Sequence, residues 1–234
     1  MMKLTVIIPL YNESKTVLEL LRRVKAAQLP ENLEREIIIV DDGSTDGGIT
    51  EEQKKRYPDL LYLSHKKNRG KGAAIRTALE KVTGDIVLIQ DADLEYDPDE
   101  YGKLLKPILM GNADVVYGSR FVTSEYRRIH LFRHYLGNKF LTFVSNLFSN
   151  YNLSDMETCY KVFRTETIKK IRLRENRFGF EAEVTQKLAR LKARMYEVGI
   201  SYHGRDFDEG KKIRPIKDGL NALFCIIRYG LRLG

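Results

Sequence analysis

The chain has no tryptophan, two cysteines and four histidines, and its six prolines stand singly among 234 residues. Cys159 and Cys225 are too few for a disulfide framework, so a reducing, cytoplasmic setting is expected. Long apolar runs are also missing. The longest, Ala222–Ile227, falls far below the roughly 18 residues that cross a bilayer. The block Leu4–Leu10, behind Met1-Met2-Lys3, is interrupted by Pro9 and is too short for a secretory core. Neither a membrane-spanning nor a secreted protein is expected. There is no internal repeat, low-complexity tract or Pro/Ser-rich linker. The chain therefore reads as one domain over residues 1–215, followed by a C-terminal amphipathic helix at 216–234.

Negative charge is in deficit: 32 Asp plus Glu stand against 40 Lys plus Arg, a net charge of +8. That balance favours anionic partners such as phosphates or an acidic membrane surface. Nucleic acid is not expected, because no recognisable reading motif accompanies the basic residues. Apolar residues make up 43% of the chain, enough to bury a core and to exclude a disordered chain.

The first half alternates two textures. Short β-branched runs occupy Thr5–Leu10, Glu36–Val40, Leu60–Leu63, Ile86–Gln90 and Asp114–Tyr117. Between them, Val17, Leu20, Leu21 and Val24 recur at helical spacing, as do Leu104, Leu105, Ile108 and Leu109. Buried strands separated by amphipathic helices predict an α/β fold: a mostly parallel central sheet with helices on both faces. Ligands of such sheets bind beyond the carboxyl ends of the strands. From about residue 120 the texture is basic and aromatic, with Phe132, Leu136, Phe140, Phe143 and Leu147 near helical spacing. Further elements are predicted as a helix over Phe180–Leu191, a strand near Arg194–Tyr202 and a helix from about Ile216.

Three motifs sit at predicted carboxyl ends. Asp91, Asp93 and Glu95 follow the fourth strand. In an extended chain they would point the same way, and three like charges in one short reach call for a cation. Oxygen-only ligands suit Mg²⁺ or Mn²⁺ bridging to a diphosphate; the plain alternative is a solvated acidic turn before Pro98. Pro9-Leu10-Tyr11-Asn12-Glu13-Ser14 follows the first strand, where helix capping is the ordinary reading. Val40-Asp41-Asp42-Gly43 follows the second, where an Asp/Gly turn is ordinary. Their occurrence together on one sheet edge points to a ligand site. Gly70-Lys71-Gly72 lacks the upstream glycine of a P-loop. His130 and His134 have neither the intervening Glu of a zinc protease nor a third ligand, and read as surface or core residues.

These segments resemble family 2 glycosyltransferases of the GT-A fold, and among them the dolichyl- and polyprenyl-phosphate sugar synthases. The resemblance rests on VIIPLYNE (Val6–Glu13), IVDDGSTDG (Ile39–Gly47), NRGKGAA (Asn68–Ala74), DADLEYDP (Asp91–Pro98) and YGSRF (Tyr117–Phe121). DMETCYKVF (Asp155–Phe163) and EVGISYHGRDFDEGKKI (Glu197–Ile213) extend it over nearly the whole chain. It implies that Pro9, Tyr11, Asn12, Glu13, Val40, Asp42 and Ala92 line a nucleotide-sugar pocket. Asp91 and Asp93 would hold the donor diphosphate through Mg²⁺ or Mn²⁺, with Glu95 standing where relatives often carry Gln. Arg120 and Arg133 would lie near the donor and acceptor phosphates, and Arg205 and Lys211 would close over the diphosphate. Many relatives carry C-terminal transmembrane helices, and none is expected here.

The implied activity is inverting, metal-dependent transfer of a hexose, mannose or glucose, from a GDP- or UDP-sugar to a polyprenyl phosphate. Alternatives are transfer to a sugar hydroxyl, for which Glu181 or Glu183 would serve as base, and a catalytically silent nucleotide-sugar-binding subunit. The apolar stripes of the Phe132–Phe148 stretch and the last helix carry basic flanks. They predict a peripheral position at the inner face of the membrane, or packing against the sheet, a homodimer contact or an integral-membrane partner.

Overall fold

The computed structural model describes residues 1–122, 129, 131–205 and 215–231. Its strands are β1 (Met2–Leu10), β2 (Leu33–Asp41), β3 (Leu60–Ser64), β4 (Ile86–Ile89), β5 (Val115–Ser119), β6 (Lys161–Arg164) and β7 (Met195–Gly199). Its helices are α1 (Val17–Ala26), α2 (Glu51–Lys55), α3 (Lys71–Leu79), α4 (Tyr101–Leu109), α5 (Phe132–Ser149), α6 (Thr165–Lys169), α7 (Phe180–Arg190) and α8 (Pro215–Gly230).

The seven strands form one sheet in the order β3-β2-β1-β4-β6-β5-β7. β1, β2, β3 and β4 are mutually parallel, and β7 is parallel to β5. β6 runs antiparallel to both β4 and β5. The expected mostly parallel sheet is therefore present, with one inserted strand that the sequence did not announce. Lys161-Val-Phe-Arg164 is only four residues long and charged at both ends, which reads as loop. Lys161 is nevertheless fully buried, its ammonium donating to the carbonyls of Met156 (2.9 Å) and Thr158.

Period-two alternation divides the core in two. Leu4, Val6 and Ile8 of β1 face α1 and α4, joining Leu20, Val24, Leu104 and Ile108. Ile7 faces the opposite layer, with Ala74 and Ala78 of α3, Phe180 and Val184 of α7, and Cys225, Ile226 and Tyr229 of α8. Each such large side chain contributes roughly 1.5–3 kcal/mol on burial.

Helix α5 packs Leu141 and Val144 against the core but leaves much of its apolar surface outside. Its buried residues are Thr142 and Ser145, while Phe132, Leu136, Phe140, Phe143 and Leu147 lie exposed. α8 packs on α5 and α7 but leaves Ile216, Leu220, Phe224 and Leu231 exposed. No helix among the described residues is long and apolar enough to cross a membrane.

Candidate active site

The carboxyl ends of β1, β2 and β4 open into one cavity of about 1150 Å³, closed on its other sides by α3, α5, α7 and α8. Pro9, Tyr11 and Glu13 reach it from the first loop, and Asp42 from the second. Asn12 does not stand on its wall. With φ at 51°, its N–H donates to Ser44 Oγ (3.0 Å) and its Oδ1 accepts from the Thr45 N–H (2.7 Å), tying the two loops together. Val40 is also off the wall, buried in the core beside α3.

Asp42 is 2% exposed, and its carboxylate is fully engaged. It accepts from the N–H groups of Arg69 (2.9 Å) and Gly70 (2.6 Å) and lies 2.7 Å from His65 Nδ1. This fixes the entry into α3. Gly70 has φ of +102°, and a Cβ there would collide with the Asn176 carbonyl; one at Gly72 would collide with that of Glu175. The two glycines thus admit the 175–176 backbone rather than cradle a phosphate. Between them, Lys71 enters the cavity, its Nζ 2.8 Å from Asp91 Oδ1, 3.2 Å from Glu181 Oε1 and 3.0 Å from Cys159 Sγ.

The acidic segment after β4 is a turn, not an extended strand. Leu94 has φ of +63°, so period-two alternation does not order its carboxylates. They part company: Asp91 meets Lys71, Asp93 Oδ2 lies 3.5 Å from Arg205, and Glu95 accepts from the Tyr202 hydroxyl (2.6 Å) and the Arg205 N–H (2.8 Å). Arg205 also pairs with Glu13 at 2.7 Å, joining the first loop to the fourth. Arg120, at the end of β5, donates from Nε and Nη2 to Asp155 at 2.7 Å each, and its guanidinium lies over the Tyr202 ring. Arg133 and Ala92 line the cavity; Lys211 falls outside the described residues.

Electrostatics concentrate here. Burial, then Asp91 and Glu95, pushes the Asp93 carboxyl up to about 7. Burial opposes the charge on Lys71, but Asp91, with Cys159 and Glu181, overcomes it and raises the ammonium well above its ordinary value. Burial and then Glu181 push Glu157 up to about 8. Among the described residues, no group of three or more His, Cys, Asp or Glu side chains gathers as a metal cluster. Asp91 and Asp93 nevertheless fit Mg²⁺ or Mn²⁺, which bind through one or two carboxylates plus substrate phosphates, and the crowding that raises Asp93 is what a cation relieves. Glu183, considered as a base, is fully buried and accepts from the Arg174 and Glu175 N–H groups and Lys187, off the cavity wall.

Sequence reasoning did not single out Lys71, Asp155, Glu157, Cys159 or Tyr202. The first was present in the pattern as Gly-Lys-Gly, and Asp155, Glu157 and Cys159 stand in the DMETCYKVF segment. His134, set aside as a surface or core residue, lines the cavity.

The sheet and its loaded edge define a GT-A fold. Glucosyl-3-phosphoglycerate synthase of Mycobacterium tuberculosis, crystallised with Mn²⁺, uridine diphosphate and glucosyl-3-phosphoglycerate, superimposes with a TM-score of 0.72 at 19% identity. The overlap covers 97% of this chain and 80% of that one. Residues 5–172 match glycosyl transferase family 2, and the chain belongs to that family and is a glycosyltransferase. Undecaprenyl-phosphate 4-deoxy-4-formamido-L-arabinose transferase of Klebsiella pneumoniae is 27% identical over 99% of this chain and 69% of its own length. Dodecaprenyl-phosphate galacturonate synthase of Rhizobium johnstonii is 24% identical over 100% of this chain and 70% of its own.

Proposed function

We propose that the chain transfers a hexose, with inversion, from a nucleoside diphosphate sugar to a polyprenyl phosphate at the inner surface of the membrane. One observation carries this reading. The cavity that holds Asp91, Asp93, Lys71 and Arg205 runs without interruption to Phe140, Leu220 and Leu223 on the apolar face of α5 and α8. A polar donor site and a lipid-compatible mouth thus share one wall. The names of the Klebsiella and Rhizobium relatives, both of which act on polyprenyl phosphates, support it.

Asp91 and Asp93 would hold Mg²⁺ or Mn²⁺, which when bound supplies positive charge against the donor diphosphate. Arg205, steered by Glu13 and Glu95, adds a cation where negative charge develops on the departing nucleotide. Arg120, oriented by Asp155, and Arg133 present cations to the acceptor phosphate. A phosphate monoester, with a second pKa near 6, is already a nucleophile at neutral pH and needs no base. Glu181 keeps Oε2 unpartnered inside the cavity. That favours one alternative, a hydroxyl acceptor with Glu181 taking its proton.

Titration calorimetry with GDP and UDP, with and without Mn²⁺, should show metal-strengthened binding of one nucleotide, lost in Asp93→Ala. In the presence of donor, a short-chain polyprenyl phosphate should yield product while the matching polyprenol yields none. Asp93→Ala should slow that turnover by at least about 10²-fold, the cost of losing a charge-stabilising group. Binding of neither nucleotide, or transfer to the alcohol alone, overturns the reading.

A further inference from the structure

Three polar side chains on neighbouring elements lead away from the donor cavity. Asp42 follows β2, His65 follows β3 and Thr77 stands on α3. Asp42 Oδ1 lies 2.7 Å from His65 Nδ1, and Nε2 of the same ring lies 2.9 Å from Thr77 Oγ1. The His65 and Asp42 side chains are 6% and 3% exposed. Asp42 lines the cavity, whereas His65 and Thr77 do not. The imidazole therefore acts on a bound ligand only through the carboxylate.

The backbone fixes two members of this line. The Asp42 N–H donates to the Leu10 carbonyl (2.7 Å) and the His65 N–H to the Asp41 carbonyl (2.8 Å), which carries the sheet pairing just past the strand ends. A carboxylate only accepts, so Nδ1 carries a proton, and Nε2 of the neutral ring accepts from the Thr77 hydroxyl. With a partner at each nitrogen, the ring has one orientation. Both oxygens of Asp42 are engaged, but a carboxylate offers about four lone-pair sites. Oδ1 takes His65 and the Arg69 N–H, and Oδ2 takes the Gly70 N–H, so one site on Oδ2 is left. It belongs to an acidic residue at the carboxyl end of a parallel strand, the place where such a residue accepts from the nucleoside of a bound nucleotide.

We propose that His65 is a positioning residue for nucleotide recognition: braced by Thr77, it holds the Asp42 carboxylate so that its remaining lone pair accepts a hydrogen from the nucleoside of the donor. The proposal rests on the donor-site reading above and deepens it by one residue that stands outside the cavity. The Arg69 and Gly70 N–H groups are consecutive in the chain and belong to the entry into α3. The imidazole comes from another element, the end of β3, and supplies the second direction that sets the carboxylate's rotation.

The test uses two substitutions that each give up one of the two ring bonds. His65→Asn keeps an amide N–H where Nδ1 stands and loses Thr77; His65→Gln keeps an amide near Nε2 and loses Asp42. Calorimetry on the full chain with Mg²⁺ compares UDP or GDP, whichever binds, with inorganic diphosphate. His65→Gln should raise the nucleotide's Kd at least about tenfold, the cost of one hydrogen bond to a charged group, while His65→Asn should stay within about threefold. Inorganic diphosphate should bind both variants as it binds the unsubstituted chain. A structural role alone would treat the two variants alike and weaken both ligands together. In the unsubstituted chain, proton NMR should show the Nδ1 proton of His65, assigned among four histidines by its absence from either variant, moving when the nucleotide is added and staying in place when diphosphate is added. A loss under tenfold in His65→Gln, an equal loss in His65→Asn, weakened diphosphate binding in either, or no movement of that proton overturns the proposal and leaves the donor site standing. Failure of both UDP and GDP to bind the unsubstituted chain overturns the donor site itself, and the proposal with it.

Discussion

The Arg120 guanidinium shows how a single residue in this site is held. Asp155, fully buried, takes both a backbone and two side-chain donors from Arg120, and together with the Tyr202 ring leaves the arginine little freedom. Breaking a buried pair by removing one partner strands the other charge, at a cost of about 3–5 kcal/mol. Asp155→Ala should therefore lower unfolding stability by that amount in urea titration, and Arg120→Met with Asp155→Leu should lose less than Asp155→Ala alone. If the single substitution costs under about 1 kcal/mol, the pair does not anchor the arginine. The arginine was legible in the sequence because it sits in the matching YGSRF segment at a strand's end. Its partner was not, since 35 residues separate them and nothing local in DMETCYKVF says which acid faces inward. Lys71 escaped notice for a related reason: Gly-Lys-Gly was measured against a phosphate loop, while its glycines serve close backbone packing.

At the scale of elements, helices α1 and α4 and strands β1, β2, β4 and β5 follow their hydrophobic patterns closely, because each buries a regular face or run. Two features do not. β6 is short and charged at both ends, and only its place between β4 and β5 makes it a strand. The Asp91–Glu95 segment departs from extended geometry through the left-handed backbone of Leu94, which no period reveals. The start of α3 illustrates the same tertiary control. Gly47 and Gly70 both have positive φ, but a Cβ at Gly47 would meet nothing, whereas one at Gly70 would strike the Asn176 carbonyl and the Arg177 side chain. Gly47→Ala should cost about 1–2 kcal/mol from backbone strain alone. Gly70→Ala should cost at least about 1 kcal/mol more from overpacking, and should weaken nucleotide binding by displacing Lys71. Comparing the two in chemical denaturation checks this; equal losses would mean that the 175–176 contact is not required.

At the scale of the whole molecule, the apolar surface is distributed against the usual rule. Helix α5 buries Thr142 and Ser145, whose hydroxyls accept from the Met156 N–H and the Gln186 amide, and turns its phenylalanines outward. α8, packed beside it, adds Leu220 and Phe224, which are 64% and 59% exposed. Two adjacent stripes of this kind make a contiguous patch of the sort that marks an interaction surface. The sequence showed the stripes but could not say which face of each helix the core would take, because apolar residues suit either. Exposed Arg133 and Lys217 flank the patch, and the chain carries +8, which favours an anionic leaflet over a neutral one. The chain should therefore float with vesicles containing anionic lipid at low salt, and less so as salt rises, since each cation near such a surface contributes about 1 kcal/mol. Phe140→Glu and Phe224→Glu should each weaken flotation at least tenfold without altering nucleotide binding, because each removes an inserted aromatic side chain worth roughly 1.5–3 kcal/mol. A second copy of the chain could instead cover the patch, and sedimentation would then report a dimer that Phe140→Glu splits. That result, or no flotation at low salt with donor and metal present, would rule out the membrane as the occupant of this face.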